Sequence, residues 1–524
     1  MIVRGRVKKG RYFDSVTLMR VARKVGEAPG VQEAAALMGT PENRQLLQEA
    51  GLMVPEFSRA AATDLLIAVK AEDAPGAEAA LQLAEQLLAG GEPETAGEVS
   101  YRPAGLSGAL EILPEARLAL ISVPGRYAAA EARKALRRGL HVMIFSDNVP
   151  VEEEIALKTY AREHGLLVMG PDCGTAIIGG TPLGFANAVP RGNIGIVAAA
   201  GTGLQEVSCL IAREGGGISH ALGTGGRDVK AAVGGIAFLQ ALEALAGDAA
   251  TEVIVLVAKP PEPPVLTALG ETLSSVDKPV VTALLGAGTA PELARHPHVH
   301  QTATLEEAAL LAQALAGGGD VAATRRRLQQ QEAEYQELGK ALAARCAPGR
   351  RYIRGLFSGG TLCAEAQVIL SGMFEEDIHS NVPFGATRRL KDVSRSQGHT
   401  LIDFGDDEFT VGRPHPMIDF SLRRERLRQE AADPETAVIL LDVVLGYGAH
   451  PDPAGELAPV IEEVAGDVGV ICSITGTGDD PQNRSQVETA LRSAGAQVLP
   501  SNAAASKVAG YAVRALAKNT SVHR

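Results

Sequence analysis

The stretch Ile194-Gly-Ile-Val-Ala-Ala-Ala-Gly201-Thr202-Gly203-Leu-Gln-Glu206 returns further along as Gly355-Leu-Phe-Ser358-Gly359-Gly360-Thr361-Leu-Cys-Ala-Glu365. Each copy runs from a short apolar segment through small residues and threonine into a sequence that favours helix. That order predicts a buried strand, a tight glycine loop and a helix N-terminus. Small residues let backbone N–H groups close around an anion, and a helix start adds about half a positive charge. The two copies therefore predict two half-sites for a phosphate or a phosphorylated small molecule. The same residues also permit plain close packing of strand on helix. Their repetition in equivalent positions is what favours binding.

Outward from these loops, further segments correspond in order. Ser219-His-Ala-Leu-Gly-Thr-Gly225-Gly226-Arg227-Asp228 matches His399-Thr-Leu-Ile-Asp-Phe-Gly405-Asp406-Asp407. Ala250–Val257 matches Glu435–Leu441, and Lys278–Thr289 matches Gly469–Asp479. An insertion around Phe374–Gln397 in the second copy reads as a lid, and the charged stretch Thr324–Arg345 as a solvated linking helix. Upstream, Leu118–Val123, Ala128–Arg138, His141–Phe145, Glu152–Glu163 and Leu166–Met169 alternate strand and helix, the pattern of a parallel, doubly wound sheet. The fold class is α/β: a Rossmann-like domain, two flavodoxin-like domains and a small N-terminal α+β module. The expected division is 1–95, ferredoxin-like; 96–190, Rossmann-like; 191–320, flavodoxin-like; 321–349, helical linker; and 350–524, flavodoxin-like. Gly90–Leu106, rich in Gly, Pro, Glu and Ser, reads as a linker.

Composition narrows the function. A net charge of −12 argues against nucleic-acid and anionic-membrane surfaces, and the absence of tryptophan against base-stacking platforms. No apolar run reaches the roughly 18 residues that span a bilayer, and the opening Met1-Ile-Val-Arg-Gly-Arg-Val-Lys-Lys has no hydrophobic segment behind its charges. The five cysteines lack CxxC spacing, which predicts neither a disulfide framework nor a zinc site. The expectation is a cytoplasmic, oligomeric protein that works on small anions with co-encoded partner subunits.

From Leu118 onward the chain resembles the succinyl-CoA synthetase superfamily. Leu118–Val123 with its helix, and Gly170-Pro171-Asp172-Cys173-Gly174-Thr175 after a strand, resemble the second half of that superfamily's CoA-binding domain. Residues 191–316 resemble the second domain of its α subunit, and 350–519 the C-terminal domain of its β subunit. Over its whole length the chain is similar to the FdrA family, through Ser358-Gly-Gly-Thr-Leu and Ile474-Thr-Gly-Thr-Gly-Asp-Asp-Pro-Gln. That resemblance implies either a predicted acyl-CoA synthetase or a subunit of an oxamate carbamoyltransferase in anaerobic allantoin breakdown. Three synthetase parts have no counterpart here: the opening glycine-rich CoA turn, the Gly-His-Ala-Gly loop of the phosphorylated histidine, and an ATP-grasp half. CoA is therefore not an expected cofactor, and phosphate or carbamoyl phosphate is the expected substrate.

The candidate cradle comprises Gly201, Thr202 and Gly203 with Ser358, Gly359, Gly360 and Thr361. Gly225, Gly226, Arg227 and Asp228 stand at a matching strand end, where Arg227 could orient an anion or simply pair with a nearby acid. His415 and His450 follow segments near the sheet edge and are candidate general acids or bases, or turn histidines. Thr475 and Gly476, with Asp479-Asp480-Pro-Gln482-Asn483 behind them, are placed in the same cleft. His296, His298 and His300 read as a surface loop rather than a metal site, and Asp406-Asp407 as a solvated pair. The leading expectation is oxalurate plus phosphate giving oxamate plus carbamoyl phosphate, or the reverse. The alternatives are a nucleoside-diphosphate-forming acyl-CoA synthetase and a non-catalytic regulatory subunit.

Overall fold

The computed structural model describes all residues except 12, 14, 90–102, 104, 411–412, 467 and 523–524. The linker expected at Gly90–Leu106 thus lies largely outside the described residues. The chain divides into two compact units, 1–113 with 410–414, and 114–409 with 415–524. Among the described residues no helix is long and apolar enough to cross a membrane.

In the first unit, strands Ile2–Lys8, Val31–Met38 and Leu65–Ala71 form an antiparallel sheet with Leu65–Ala71 in the middle. The central strand is buried on both faces, and its alternation sorts two cores. Leu65, Ile67 and Val69 meet Leu18, Val25 and Leu81, while Leu66 and Ala68 meet Leu47, Leu52 and Phe57.

The second unit begins with a three-stranded parallel sheet, Leu118–Ile121, His141–Ile144 and Val168–Met169, in chain order. Two seven-stranded sheets follow. The first runs Arg191–Ala198, Ile218–Gly223, Val253–Ala258, Val280–Leu284 and Val299–Gln301; the second runs Tyr352–Phe357, His399–Asp403, Thr436–Val444, Gly469–Thr475 and Gln497–Leu499. Both arrange these five parallel strands in the order 2-1-3-4-5, the doubly wound order with its switch point beside strand one. Strands such as Val253–Ala258 and Thr436–Val444 are buried at every residue, which is why they read as continuous apolar runs.

Each sheet is extended beyond its second strand, and the two extensions differ. Hairpin Thr175–Ile178 with Thr181–Gly184 pairs antiparallel onto Ile218–Gly223, so residues below the expected boundary at 190 belong to the first of these sheets. In the second lobe the insertion contributes Ile378–Ser380 and Arg388–Arg389 in parallel. The expected lid is in part sheet, because its short strands complete an edge that would otherwise be open.

Helix Val321–Ala343 also departs from expectation. It is not merely solvated: Tyr335, Gly339, Leu342 and Ala343 are buried. Gly339 lies so close to the last helix that an added Cβ would stand 2.6 Å from Tyr511 Cβ. Glu332 pairs with Lys507 at 2.6 Å and accepts the Tyr511 hydroxyl. The two lobes share one core, in which Leu204, Val207 and Ile211 lie with Leu362, Cys363 and Ala366.

Candidate active site at the paired glycine loops

Helices Gly201–Arg213 and Gly360–Ser371 begin at the two quoted loops, and their N-termini meet. The Thr361 N–H donates to Thr202 Oγ1 at 3.3 Å. A Cβ on Gly203 would lie 2.9 Å from the Thr361 methyl, and one on Gly359 would lie 3.0 Å from the Thr202 side chain. Only glycine allows this approach.

One turn further in, each helix reaches across to the other lobe. Glu206 Oε1 accepts the N–H of Asn502, where the second lobe's last helix starts, at 3.0 Å. Glu365 Oε1 accepts the N–H of Leu305, where the first lobe's last helix starts, at 2.7 Å. Each carboxylate thus caps an orphan helix donor in the partner lobe. Glu206 also accepts the Thr475 hydroxyl, and Gly476 packs on Leu445. Thr475 therefore sits in the joint between lobes, and Gly476 packs within the second lobe beside it.

The two loops are not chemically alike. In the second, the N–H groups of Ser358 and Gly359 donate to the two Asp442 oxygens at 2.7 Å each, and the Ser358 hydroxyl joins them at 3.1 Å. Asp442 is fully buried and faces Arg423 at 2.9 Å. Ser358 and Gly359 were expected to hold an external anion; the chain's own carboxylate occupies their donors instead. In the first loop, Ala200 provides no side-chain cap and Gly201 is exposed. Strand register explains the contrast. Phe357 stands beside Asp403 on one side and, one step past the Leu356–Leu441 pair, beside Asp442 on the other. Ala198 has Gly223 and Val257 in those places.

Asp403 ends its strand, clasped by Asn381, which exchanges two bonds with its backbone at 2.9 Å each. Asp403 Oδ1 accepts the Gly405 N–H at 2.9 Å, and Oδ2 faces Gly360. Burial, reinforced by Asp406 and Asp442 and opposed by the Gly405 N–H and Lys259, pushes this carboxyl up to about 7. Lys259 lies over the Phe384 ring at 5.4 Å. His415 Nδ1 accepts the Met417 N–H at 3.3 Å, and its Nε2 lies 3.0 Å from where a Gly405 Cβ would be. Burial and then Arg423 push His415 down to about 4. At neutral pH the ring is uncharged, and because Nδ1 accepts, Nε2 carries the proton.

The remaining candidates are tied into the protein. Arg227 pairs with Glu154 at 2.9 Å and donates to the Val149 carbonyl at 2.9 Å. Asp228 is fully buried, bonded to Lys158 at 2.8 Å and to the Phe238 N–H at the start of a helix. Gly225 packs so tightly that a Cβ would lie 2.3 Å from the Pro171 carbonyl, whereas Gly226 is exposed. His450 Nδ1 accepts the Asp452 N–H at 3.0 Å within its own loop. Asp480 joins the lobes through Ala188 and Asn187 at 2.7 and 2.9 Å, and Gln482 holds Gly446. His296 Nε2 lies 2.8 Å from the Gly270 carbonyl. Burial pushes Cys173 up to about 12, so it is a thiol rather than a thiolate.

Asp403, Asp442, Lys259 and Asn381 were not singled out from sequence. A signal existed for the two acids. Each interrupts or ends a fully buried strand, where an unpaired charge is costly.

Residues 356–512 match the CoA-ligase family model, and residues 1–103 match the model described as AllF, heavy metal-associated domain. Residues 1–103 contain neither cysteine nor histidine, so thiolate and imidazole donors are missing from that segment, and methionine thioethers are its soft donors. A succinate–CoA ligase [ADP-forming] subunit alpha 2 of Archaeoglobus fulgidus is 29% identical over 188 residues, covering 35% of this chain and 63% of that subunit, less than two thirds of its length. The dinucleotide-forming acetyl-coenzyme A synthetase 1 of Ca. Korarchaeum cryptofilum, in its apo form, aligns at 14% identity over 82% of this chain and 89% of that one, with a TM-score of 0.34. YahF of Escherichia coli is 42% identical over 500 residues, 93% of this chain and 94% of that protein. With that identity along nearly both full lengths, the chain belongs to the family of YahF, an FdrA-type, acyl-CoA-synthetase-like family.

Proposed function

We propose that this chain is a catalytic subunit of an enzyme related to acid–thiol ligases that makes or breaks an acyl–phosphate bond. The observation that carries this is the bonded meeting of the two glycine loops, with the Gly201 helix left uncapped. The N–H groups of Gly201, Thr202 and Gly203 would hold the phosphate. Thr202 Oγ1 accepts the Thr361 N–H, so its own proton remains to be donated to the anion. Fixed dipoles of this kind stabilise charge as the C–O bond to phosphate forms or breaks.

In ligases of this kind CoA supplies the thiol. At the first helix of the three-stranded sheet, a Cβ on Gly125 would lie 2.1 Å from the Asp147 carbonyl. The chain's own backbone thus packs closely on that helix start, the role one glycine of nucleotide-binding folds plays in helix–strand contact.

A second reading, carbamoyl transfer from carbamoyl phosphate to oxamate, is favoured by the state of His415. With Nε2 protonated and Nδ1 engaged, it is not set up as a phosphoryl nucleophile. Direct attack involving phosphate needs no such relay. The family relationship supports the ligase-type reading over this one.

The test is to give the full chain, co-expressed with its encoded partners, either acetyl or succinyl phosphate with CoA, or carbamoyl phosphate with oxamate. Phosphate release with a mass-identified thioester supports the first reading, and release with oxalurate supports the second. No release in either mixture refutes both and leaves a regulatory subunit.

A further inference from the structure

The second lobe carries chemistry that the first lacks. Strand register makes Gly223 and Val257 the counterparts of Asp403 and Asp442. Asp442 is fully engaged by Ser358, Gly359 and Arg423. Asp403 is not. Its side chain is 7% exposed. Oδ1 accepts the Gly405 N–H, whereas Oδ2 has no hydrogen-bond partner among the described residues and lies 2.7 Å from where a Gly360 Cβ would be. Gly359, the preceding residue, touches Thr202 of the first lobe. A deeply buried carboxyl therefore aims an unpartnered oxygen at the start of the second helix, one residue from the glycine that touches Thr202.

We propose that Asp403 is the proton-transfer residue of the reaction centred on the Gly201 helix, the first lobe holding the phosphate and the second moving the proton. This rests on the acyl-phosphate reading above. In transfer from an acyl phosphate to an acceptor HX, the X–C bond forms and the C–O bond to phosphate breaks. The Asp403 carboxylate takes the proton of HX and returns it to the phosphate oxygen that leaves with the bonding pair. Acyl phosphate plus HX gives acyl-X plus hydrogen phosphate, and Asp403 ends as it began.

The surroundings suit that task. Burial, Asp406 and Asp442 favour the protonated form, while Lys259 and the Gly405 N–H favour the carboxylate. Arg423 is turned to Asp442, Cys363 is held as a buried thiol, and His415 is neutral. A carboxyl balanced close to the working pH exchanges protons in both directions. Asn381 fixes its backbone from both sides.

The test is Asp403→Asn in the full chain with its partners, since asparagine retains an acceptor for Gly405. Turnover is expected to fall about 10²–10⁴-fold, the usual contribution of a general acid–base, with loss of the pH limb near 7. Inorganic phosphate should still bind the variant in calorimetry at least as well as wild type, because a negative charge is gone. Unchanged turnover and pH profile, with phosphate binding to wild type intact, overturns this assignment alone. Failure of inorganic phosphate to bind wild type removes the underlying reading and this assignment with it. Should the asparagine variant not fold, Asp403→Glu decides: a displaced pH limb supports the role, and a limb identical to wild type overturns it.

Discussion

Glu365 links the two lobes, and its titration gives them a pH-dependent joint. The side chain is 1% exposed. Burial is the main cause that pushes it from 4.5 up to about 7, with Glu206 and Glu306 adding to the rise and Asn502 and the Leu305 N–H opposing it. The folded state therefore binds this proton more tightly than the unfolded state. Its contribution to stability is complete below the unfolded value of about 4.5 and is lost as pH rises through about 7. A shift of that size corresponds to about 3 kcal/mol by pH 8. Glu365→Gln removes the titration. Its carbonyl can still accept the Leu305 N–H, and its amide can donate to Asn502 Oδ1, which is buried without a hydrogen-bond partner, once Asn502 turns over. That turn forfeits the 3.0 Å bond from Asn502 to the Leu362 carbonyl, about 1 kcal/mol. The expected net gain at pH 8 is about 2 kcal/mol, with a small loss at pH 5. Two compact units make global unfolding a poor single transition, so the assay is amide exchange by mass spectrometry in segments 305–316 and 502–515. After correction for intrinsic exchange, wild-type protection should decline from pH 6 to 8, and the variant's should not. A flat wild-type profile, or equal slopes in both proteins, refutes the argument.

Asp442→Asn weakens the bonds to Ser358 and Gly359 and leaves Arg423 buried without its counter-charge; about 3–5 kcal/mol of destabilisation is expected, as for a broken buried pair, read by amide exchange in segments 352–371 and 421–444. Gly203→Ala brings a methyl to 2.9 Å from Thr361 and 3.0 Å from Val257, an overpacking cost of about 1–3 kcal/mol, and should lower phosphate affinity measured by calorimetry. Among the thiols, Cys346 is half-buried while Cys173, Cys209, Cys363 and Cys472 are buried. One equivalent of a thiol reagent should therefore label Cys346 in the native protein, as peptide mapping would show, and the rest should react only after unfolding.

What could be read from sequence was local. Continuous apolar runs named the buried strands, and glycine followed by helix-favouring residues signalled a helix after each loop, as the structure has it. The repeat itself was visible as strand ends in matching order, which is why both sheets were expected to share one winding.

Only the tertiary structure decided what those loops do. The bond from Ser358 to Asp442 spans 84 positions, and that from Asn502 to Glu206 spans 296. No periodicity reports a contact of that range. Both loops looked like open cradles, because small residues and a helix start read the same whether the donors face solvent or a carboxylate from a neighbouring strand. Which acid is neutralised by partners, as Asp442 is, and which keeps an open oxygen, as Asp403 does, depends on register between strands and on how deeply the packed lobes desolvate each group.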